Sequence, residues 1–397
     1  MPTVGNDVRR MGPKAPSDAG FARNLASSCR PFCLFQADPA GRLGTVVASL
    51  ATGQPNVADP PTSMKSLFRS CLVLALLVAP VLSSRAAEPK RLIVCTVTTG
   101  FRHSSIPWAE KTIEMLGEKS GSYTVVDWAR QPAIDVPREP RKPRDLAPDA
   151  DENAKKRFAN DMKRYDEEMA KWTPEVRQAA KEAQAKFDAG VKESLAKLSP
   201  ANLESQKIDG VIFANTTGDL PLPDKEGFIA WIEAGHSFMA MHSGSDTLHG
   251  FPGYINMLQG EFAGHGAQVP ADLTAGDTSH PANAGIGASW NLAQEEMYHI
   301  KSQDRAKVRA LWFLRHDPNK VEEKGHFPVS WCRMAGKGRV FYTSLGHRED
   351  LWSTSEEIKD RKNPVATSEQ YQAHILGGIK WALGLAEGSA EPNPEVQ

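Results

Sequence analysis

Short, largely apolar, β-rich runs recur along this chain, each followed by a turn and then by a helix-forming stretch. The runs are RLIVCTVT (91–98), YTVVDW (123–128), IDGVIFAN (208–215) and SFMAMH (237–242). A strand with one wet face would alternate polar with apolar residues; 91–98 and the run ending at His242 read instead as buried strands, and the other two runs as strands. Between them, 104–119 has helical spacing, with Ile106, Trp108, Ile113 and Leu116 inward, and 224–234 forms a second helix. The runs 308–314, 329–333 and 340–344 predict further strands, and 368–385 a closing helix. This alternation predicts an α/β domain with a mostly parallel central sheet covered by helices on both faces.

One stretch breaks the pattern. Residues 132–202 include PREPRKPRDLAP, which no helix tolerates. Then 151–172 and 174–198 are dense in Ala, Glu, Lys and Arg, strong helix formers with few large apolar residues. They predict a solvated helical hairpin inserted after the second strand. Peripheral decoration and a partner-binding arm both stay open as its role.

The N-terminal part reads as processing sequence rather than fold. Residues 64–87, MKSLFRSCLVLALLVAPVLSSRAA, run from a basic start through an apolar core to a small-residue site. That is the grammar of a secretory signal peptide. The apolar run 71–82 is too short to span a bilayer, so no stable membrane anchor is expected. Residues 1–63 are rich in Pro, Gly, Ala and Ser without period and read as a disordered or mis-called extension, with Met64 as the real start. The expected order is therefore extension 1–63, signal 64–87, one domain 88–388 and a flexible tail 389–397. The expected location is outside the cytoplasm, periplasmic or extracellular.

A net charge of −1 gives no basic surface for a nucleic-acid partner. The five cysteines form no metal-type set: Cys29 and Cys33 lack a second pair, and Cys71 lies in the signal segment. Cys95 and Cys332 sit in strand-like runs as buried small hydrophobes, with a disulfide between them left open for an oxidising compartment.

All eleven histidines lie beyond residue 100. In open α/β sheets, ligands bind beyond the carboxyl ends of the strands, so the segments after each strand carry the candidates. After the first strand, TTGFRHSS presents Arg102 and His103, with Ser104 or Ser105 placed to cap the next helix. After the third, Asn215, Thr216, Thr217 and Asp219 lie in a Gly-containing turn, read equally as a ligand loop or a helix lead-in. After the fourth, the chain turns sharply at His242-Ser243-Gly244, as in a nucleophile elbow. Met241 and Ser245 stand where that elbow needs glycine, which argues against Ser243 as nucleophile. No cysteine lies there, so glutamine amidotransferase chemistry is disfavoured. Further on come Glu261 and His265, His280, QEEMYHIK (294–301), His326 and His347. If QEEMYHIK is a strand, Glu296 and Tyr298 share one face, and Glu295, Met297 and His299 the other. No pair has the His-x-x-x-His spacing of a zinc helix, so no residue is assigned as a metal ligand; a divalent metal such as zinc, assembled from separate loops, stays open. Trp231, Trp312 and Trp352 fit core packing better than sugar stacking.

Together the motifs GFRHSSIP, DGVIFANTTGDLPLPDKEGFIAWIEAG, FMAMHSGSDTLHGFPGY, GEFAGHGA, SHPA, EEMYHI, HFPVSWCRMAGKGRVFYTSLGHRED and ILGGIKWALG resemble the ThuA-like (trehalose utilisation) family over 91–388, apart from 132–202. The resemblance implies a flavodoxin-like three-layer sandwich of the class I glutamine amidotransferase-like group, with His242 near the place of the lost cysteine. It also implies a role in sugar metabolism, on disaccharides or glycosides, with their 3-keto forms left open. By motif it singles out His103, His242, Asp246, His265, Glu296, Tyr298, His326 and His347. The expected division of labour is acid–base work by His242 and Glu296, which needs two pKa values pushed apart. Substrate contacts are expected from His103, Asn215, Asp246, His265, Tyr298, His326 and His347. The alternative is a non-catalytic sugar-binding module on the same cleft.

Overall fold

The computed structural model describes residues 88–396. The signal segment, the extension before it, and Cys29, Cys33 and Cys71 lie outside the described residues. No helix among the described residues is long and apolar enough to cross a membrane.

The apolar runs form strands where the pattern put them: β1 (Lys90–Cys95), β2 (Tyr123–Ala129), β3 (Gly210–Ala214) and β4 (Ser237–Met241). They pair in parallel in the order β2-β1-β3-β4, and β11 (Gly338–Thr343) adds in parallel beside β4. The expected parallel sheet thus covers five strands. Beyond it the same sheet runs on antiparallel through β10 (Lys320–Ala335), β9 (Arg309–Asp317), β6 (Val269–Ala275) and β7 (Ser289–Glu295). The reversal starts at the two-residue turn Gly336-Lys337, where Gly336 takes φ 58° and lets β10 fold straight back as β11. A separate ribbon pairs β5 (Glu261–His265) with β8 (Tyr298–Lys301). The glycine-rich GEFAGH segment is this β5; pairing with β8 supplies the partner that periodicity could not reveal.

Successive side chains of a strand point to opposite faces, and here they enter two different cores. Leu92 and Val94 pack with Ile113 and Leu116 of α1 (Ile106–Ser120) and with Ile375 and Ile379 of α8 (Val365–Ala382). Ile93 and Cys95 pack with Val191 and Leu195 of α3 (Pro174–Ala196) and Phe228 and Ile232 of α5 (Lys225–Glu233). The fold is therefore mixed α/β, with helices on both faces of one large sheet.

The helical segment 132–202 divides into two parts. In α2 (Glu152–Met169) no residue is buried. By contrast Val191 and Leu195 of α3, Leu198, and Leu203 of α4 (Pro200–Ser205) are in the core. A parallel β2–β1–β3 arrangement needs a crossover on the sheet, and the second half of α3 supplies it. Only the first part is peripheral.

Cys95 and Cys332 are both buried free thiols, not a disulfide. Burial pushes the Cys95 thiol up to about 12. The tail expected to hang free is pinned: Asn393 Oδ1 accepts from Ala310 N at 2.7 Å, and Arg309 Nη1 donates to the Glu391 carbonyl at 2.9 Å.

On α8, a Cβ at Gly377 would run into the Pro281 carbonyl and one at Gly378 into the Phe341 ring. Alanine normally stabilises a helix interior over glycine by roughly 0.5–1 kcal/mol. Here overpacking outweighs that gain, so Gly377→Ala is expected to lower stability by about 1–3 kcal/mol in urea denaturation. A stability equal to or above wild type would refute this close approach.

Candidate functional site

The parallel strands end along one sheet edge, and the segments after β1, β3, β4 and β11 meet there. Isolated bridges lace them together, Thr98 to Thr217 and Gly218 to Thr247. The order β2-β1-β3 reverses direction between β1 and β3, which places this edge at a topological switch point.

Each strand delivers one polar group. His103 follows β1, Asn215 follows β3, His242 follows β4 and His347 follows β11. Asn215 and His242 both take left-handed backbone, φ 54° and 48°. Such conformations cost of order 1 kcal/mol or more and persist where surrounding contacts hold them. The elbow predicted from sequence is thus real in its backbone, with His242 at its apex. Its carbonyl accepts from Tyr342 Oη at 2.8 Å, and the Tyr342 hydroxyl in turn meets Ser245 Oγ at 2.7 Å.

Four side chains converge: one ligand atom each from His103, His242, Glu296 and His347, all within 4.8 Å of one another. His242 Nε2 lies 3.1 Å from His103 Nε2 and 3.7 Å from Glu296 Oε2, and His347 Nδ1 lies 3.1 Å from the same Glu296 oxygen. The outer nitrogens are held from behind. His242 Nδ1 donates to the Ser344 carbonyl at 2.8 Å, and His103 Nδ1 meets Ser243 Oγ at 3.3 Å. With its outer nitrogen donating, His242 presents its Nε2 lone pair toward His103 and Tyr298. His347 Nδ1 is buried without a well-aligned hydrogen bond.

Tyr298 and His265 complete the rim. Tyr298 Oη donates to His242 Nε2 at 2.9 Å. His265, paired with Tyr298 across the β5–β8 ribbon, brings Nδ1 within 3.1 Å of Glu296 Oε1. Its side chain is 41% exposed while that of His242 is fully covered, so the cluster opens to solvent on the His265 side.

The charges follow from burial and crowding. Burial, reinforced by His347, pushes the His103 imidazole down to about 4. Burial and then His103 hold His242 well below its usual value. Burial opposes ionisation of Glu296, but His347, His265 and His103 outweigh it and keep the carboxyl below the usual range. Burial likewise pulls His347 down, and Glu296 and Glu295 more than compensate, raising it. Burial drives the Tyr298 phenol well above its usual value, so it carries its proton. His242 and Glu296 therefore shift in the same direction, one held neutral and the other ionised. Both present lone pairs; neither is a raised acid. Three neutral or neutralisable imidazoles plus one carboxylate is a donor set suited to zinc or a similar divalent ion. Ligands about 2.0–2.1 Å from a tetrahedral ion stand roughly 3.4 Å apart, close to the spacings here.

Behind the cluster, Glu295 is fully buried and accepts from Gly346 N at 3.0 Å and His347 N at 2.7 Å, fixing the loop that carries His347. Asn215 Nδ2 donates to Ser105 Oγ and to the Gly346 carbonyl, both at 2.9 Å. Ser105, expected as a helix cap, makes no cap bond; its hydroxyl ties this same carbonyl at 3.0 Å. Asn215 thus braces loops and lies behind the cluster. Asp246 faces His249, which also bonds Glu261 at 2.8 Å. His326 lies outside the cluster, stacked on Phe313 with ring centroids 4.5 Å apart. Trp231, Trp312 and Trp352 are buried, and Trp352 Nε1 donates to the Gly346 carbonyl at 2.8 Å. Sequence reasoning assigned no role to Ser344, to Glu295 or to Phe101, which is 67% exposed and edge-on to His103. The strand alternation in QEEMYHIK was the one signal for Glu295, since it put that residue on the face opposite Glu296. Alternation survives there although the strand breaks between β7 and β8.

Among known families, the ThuA model, described as trehalose utilisation, matches residues 158–382. The match begins inside α2 and ends with α8, so β1 and His103 precede it. Curated proteins include no match. Among solved structures, a ThuA-like protein from Parabacteroides merdae is 15% identical, covers 76% of this chain and 93% of its own, and superposes with TM-score 0.48. A ThuA-like protein from Bacteroides uniformis is 16% identical over 79% of this chain and 98% of its own, TM-score 0.43. The β-galactosidase from Rahnella sp. R3 is 17% identical over 49% of this chain and 26% of its own, TM-score 0.31.

Proposed function

Because the chain belongs to the ThuA (trehalose utilisation) family, we propose that it is a carbohydrate-processing enzyme whose reaction centre is the His103–His242–Glu296–His347 cluster, acting on disaccharides or glycosides, 3-keto forms included. The observation that carries this reading is the convergence of four ligand atoms within 4.8 Å at the carboxyl edge of the sheet. We read the core as flavodoxin-like, which the parallel order β2-β1-β3-β4 supports. We also propose that the enzyme works after export, on the strength of the signal-like segment 64–87.

A divalent ion held by the four side chains would supply Lewis acidity to a sugar oxygen. The chain's own groups do the rest. Ser344 and Ser243 fix the His242 and His103 rings, as partners behind a metal ligand do. Tyr298, kept protonated and set against the cluster, donates a proton to the oxygen that gains charge. The lone-pair character of both His242 and Glu296 supports ligand roles for them over an acid–base pair.

The test uses the purified full chain, stripped by chelator and reloaded with zinc or manganese. One ion per chain by elemental analysis is expected, with turnover of a disaccharide or its 3-keto form only in the loaded protein. No turnover of any such sugar by protein carrying its ion would overturn the enzyme reading.

A further inference from the structure

A second cavity of about 760 Å³ opens on the other side of the loop that carries His103. That volume is within the roughly 300–1,000 Å³ of small-molecule sites. Thr98, Thr99, Gly100 and Arg102 form its near wall. The extended segment 134–138 and one face of α3, with Gln184, Phe187 and Asp188, form the rest. Residues 184, 187 and 188 share a helix face because they are three and four apart.

This cavity is built, not left over. The prolines that forbid a helix keep the segment extended. Pro132 packs on Gly190, where an added Cβ would come within 2.9 Å, and Glu139 pairs with Arg177 at 2.9 Å. Both ends of the segment are thus fastened to α3, and the residues between them face the cavity. Part of its polar lining is left available, although Thr98 Oγ1 is taken by Gln131, Thr99 Oγ1 by the Thr217 carbonyl and Arg102 Nη1 by the Thr96 carbonyl. Gln131 Oε1 accepts from Thr98 N and Oγ1, while its Nε2 has no partner among the described residues. Asp135 and Arg138 have none either, and Asp188 is engaged only by Gln184 Nε2, at 2.7 Å. Arg102 and Arg138 balance Asp135 and Asp188. A phosphorylated or otherwise anionic ligand would meet as much repulsion as attraction. A neutral ligand dense in hydroxyls would find donors and acceptors on all sides, and Ile134, Val136, Pro137 and Phe187 offer apolar surface for its C–H faces. Phe101, two-thirds exposed, lies on the loop between this cavity and the histidine cluster.

We propose that this cavity is a second sugar subsite, holding the outer unit of a neutral glycoside whose inner unit reacts at the cluster. The proposal rests on the sugar-processing reading. It assigns the added segment 132–202 a role in substrate length selection.

The test compares binding of trehalose, maltose and cellobiose with binding of glucose, by calorimetry on the full chain. Asp188→Ala and Arg138→Ala are both exposed changes, with folding checked by thermal melting. Each is expected to weaken binding of the preferred disaccharide by on the order of tenfold or more, as loss of a charged hydrogen-bond partner does. Glucose binding should stay within twofold. Equal losses for both sugar lengths, or no loss for either, would overturn the subsite and leave the sugar-processing reading standing. Wild-type protein that binds none of these sugars would overturn the subsite; the sugar-processing reading falls only if the ion-loaded protein turns over no glycoside or 3-keto form.

Discussion

Glu296→Gln is expected to weaken zinc binding by on the order of a hundredfold or more while leaving the fold intact. Glu296 contributes the one carboxylate oxygen among the four converging groups. The amide keeps the shape and removes the charge that balances the ion. It also replaces one of two acceptor oxygens, Oε1 facing His265 and Oε2 facing His347 at 3.1 Å each, by a donor NH2. Loss of a partner merely behind a ligand already costs roughly 10–100-fold in metal affinity, so loss of a ligand should cost at least the upper end. Competition with a chromogenic chelator reads the affinity directly. Unchanged zinc affinity in the variant would mean that the cluster is not a metal centre. Tyr298→Phe separates the roles: zinc binding should be retained and turnover should fall by roughly 10²–10⁴, the usual contribution of a positioned acid.

The second large effect concerns stability. Asp350, in the short helix α7 (Glu349–Trp352), is wholly buried. Its Oδ1 accepts from Arg348 Nε at 3.1 Å and Asn363 Nδ2 at 3.0 Å, and its Oδ2 from Lys362 N at 2.5 Å and Asn363 N at 3.0 Å. Asp350→Ala strands the Lys362 and Asn363 N–H donors and removes the buried carboxylate from Arg348, which keeps Gln268 and Asp360. Breaking a buried pair in this way costs about 3–5 kcal/mol. The loss should appear in urea denaturation as a lower midpoint at unchanged slope. It should also loosen the loop that carries His347. Burial opposes the Asp350 charge, but its donors outweigh burial and hold its pKa below the usual range. A depressed carboxyl stabilises above its unfolded pKa and ceases to as pH falls through the folded one. The gap between wild type and variant should therefore be full at neutral pH and close below about pH 4. A gap that does not change with pH would show that Asp350 acts only by filling space.

Much of the site was legible because an α/β sheet gathers the ends of its parallel strands. Finding a strand by its apolar run also locates the polar residue after it, which is how His103, Asn215 and His242 were marked. His326 shows the limit of that rule. It lies within β10, an antiparallel strand, so its motif carried it away from the cluster. The ribbon β5–β8 was not legible, because its pairing joins residues far apart in a segment with few β-branched residues. It nonetheless places His265 and Tyr298 at the site.

The sequence by itself determined the strands, the helices and the edge at which function would concentrate. These depend on local hydrophobic period and on residues that cannot continue a helix. Tertiary structure alone decided how the histidines stand to one another. Whether an imidazole acts as a proton carrier, a ligand or a surface group depends on which groups stand within a few ångströms and on how much water remains. His242 is neutral because it is buried against His103, and its Nε2 faces the cluster because Ser344 holds the other nitrogen. Nothing in the run SFMAMHSGSD encodes either fact, since both partners come from elsewhere in the chain.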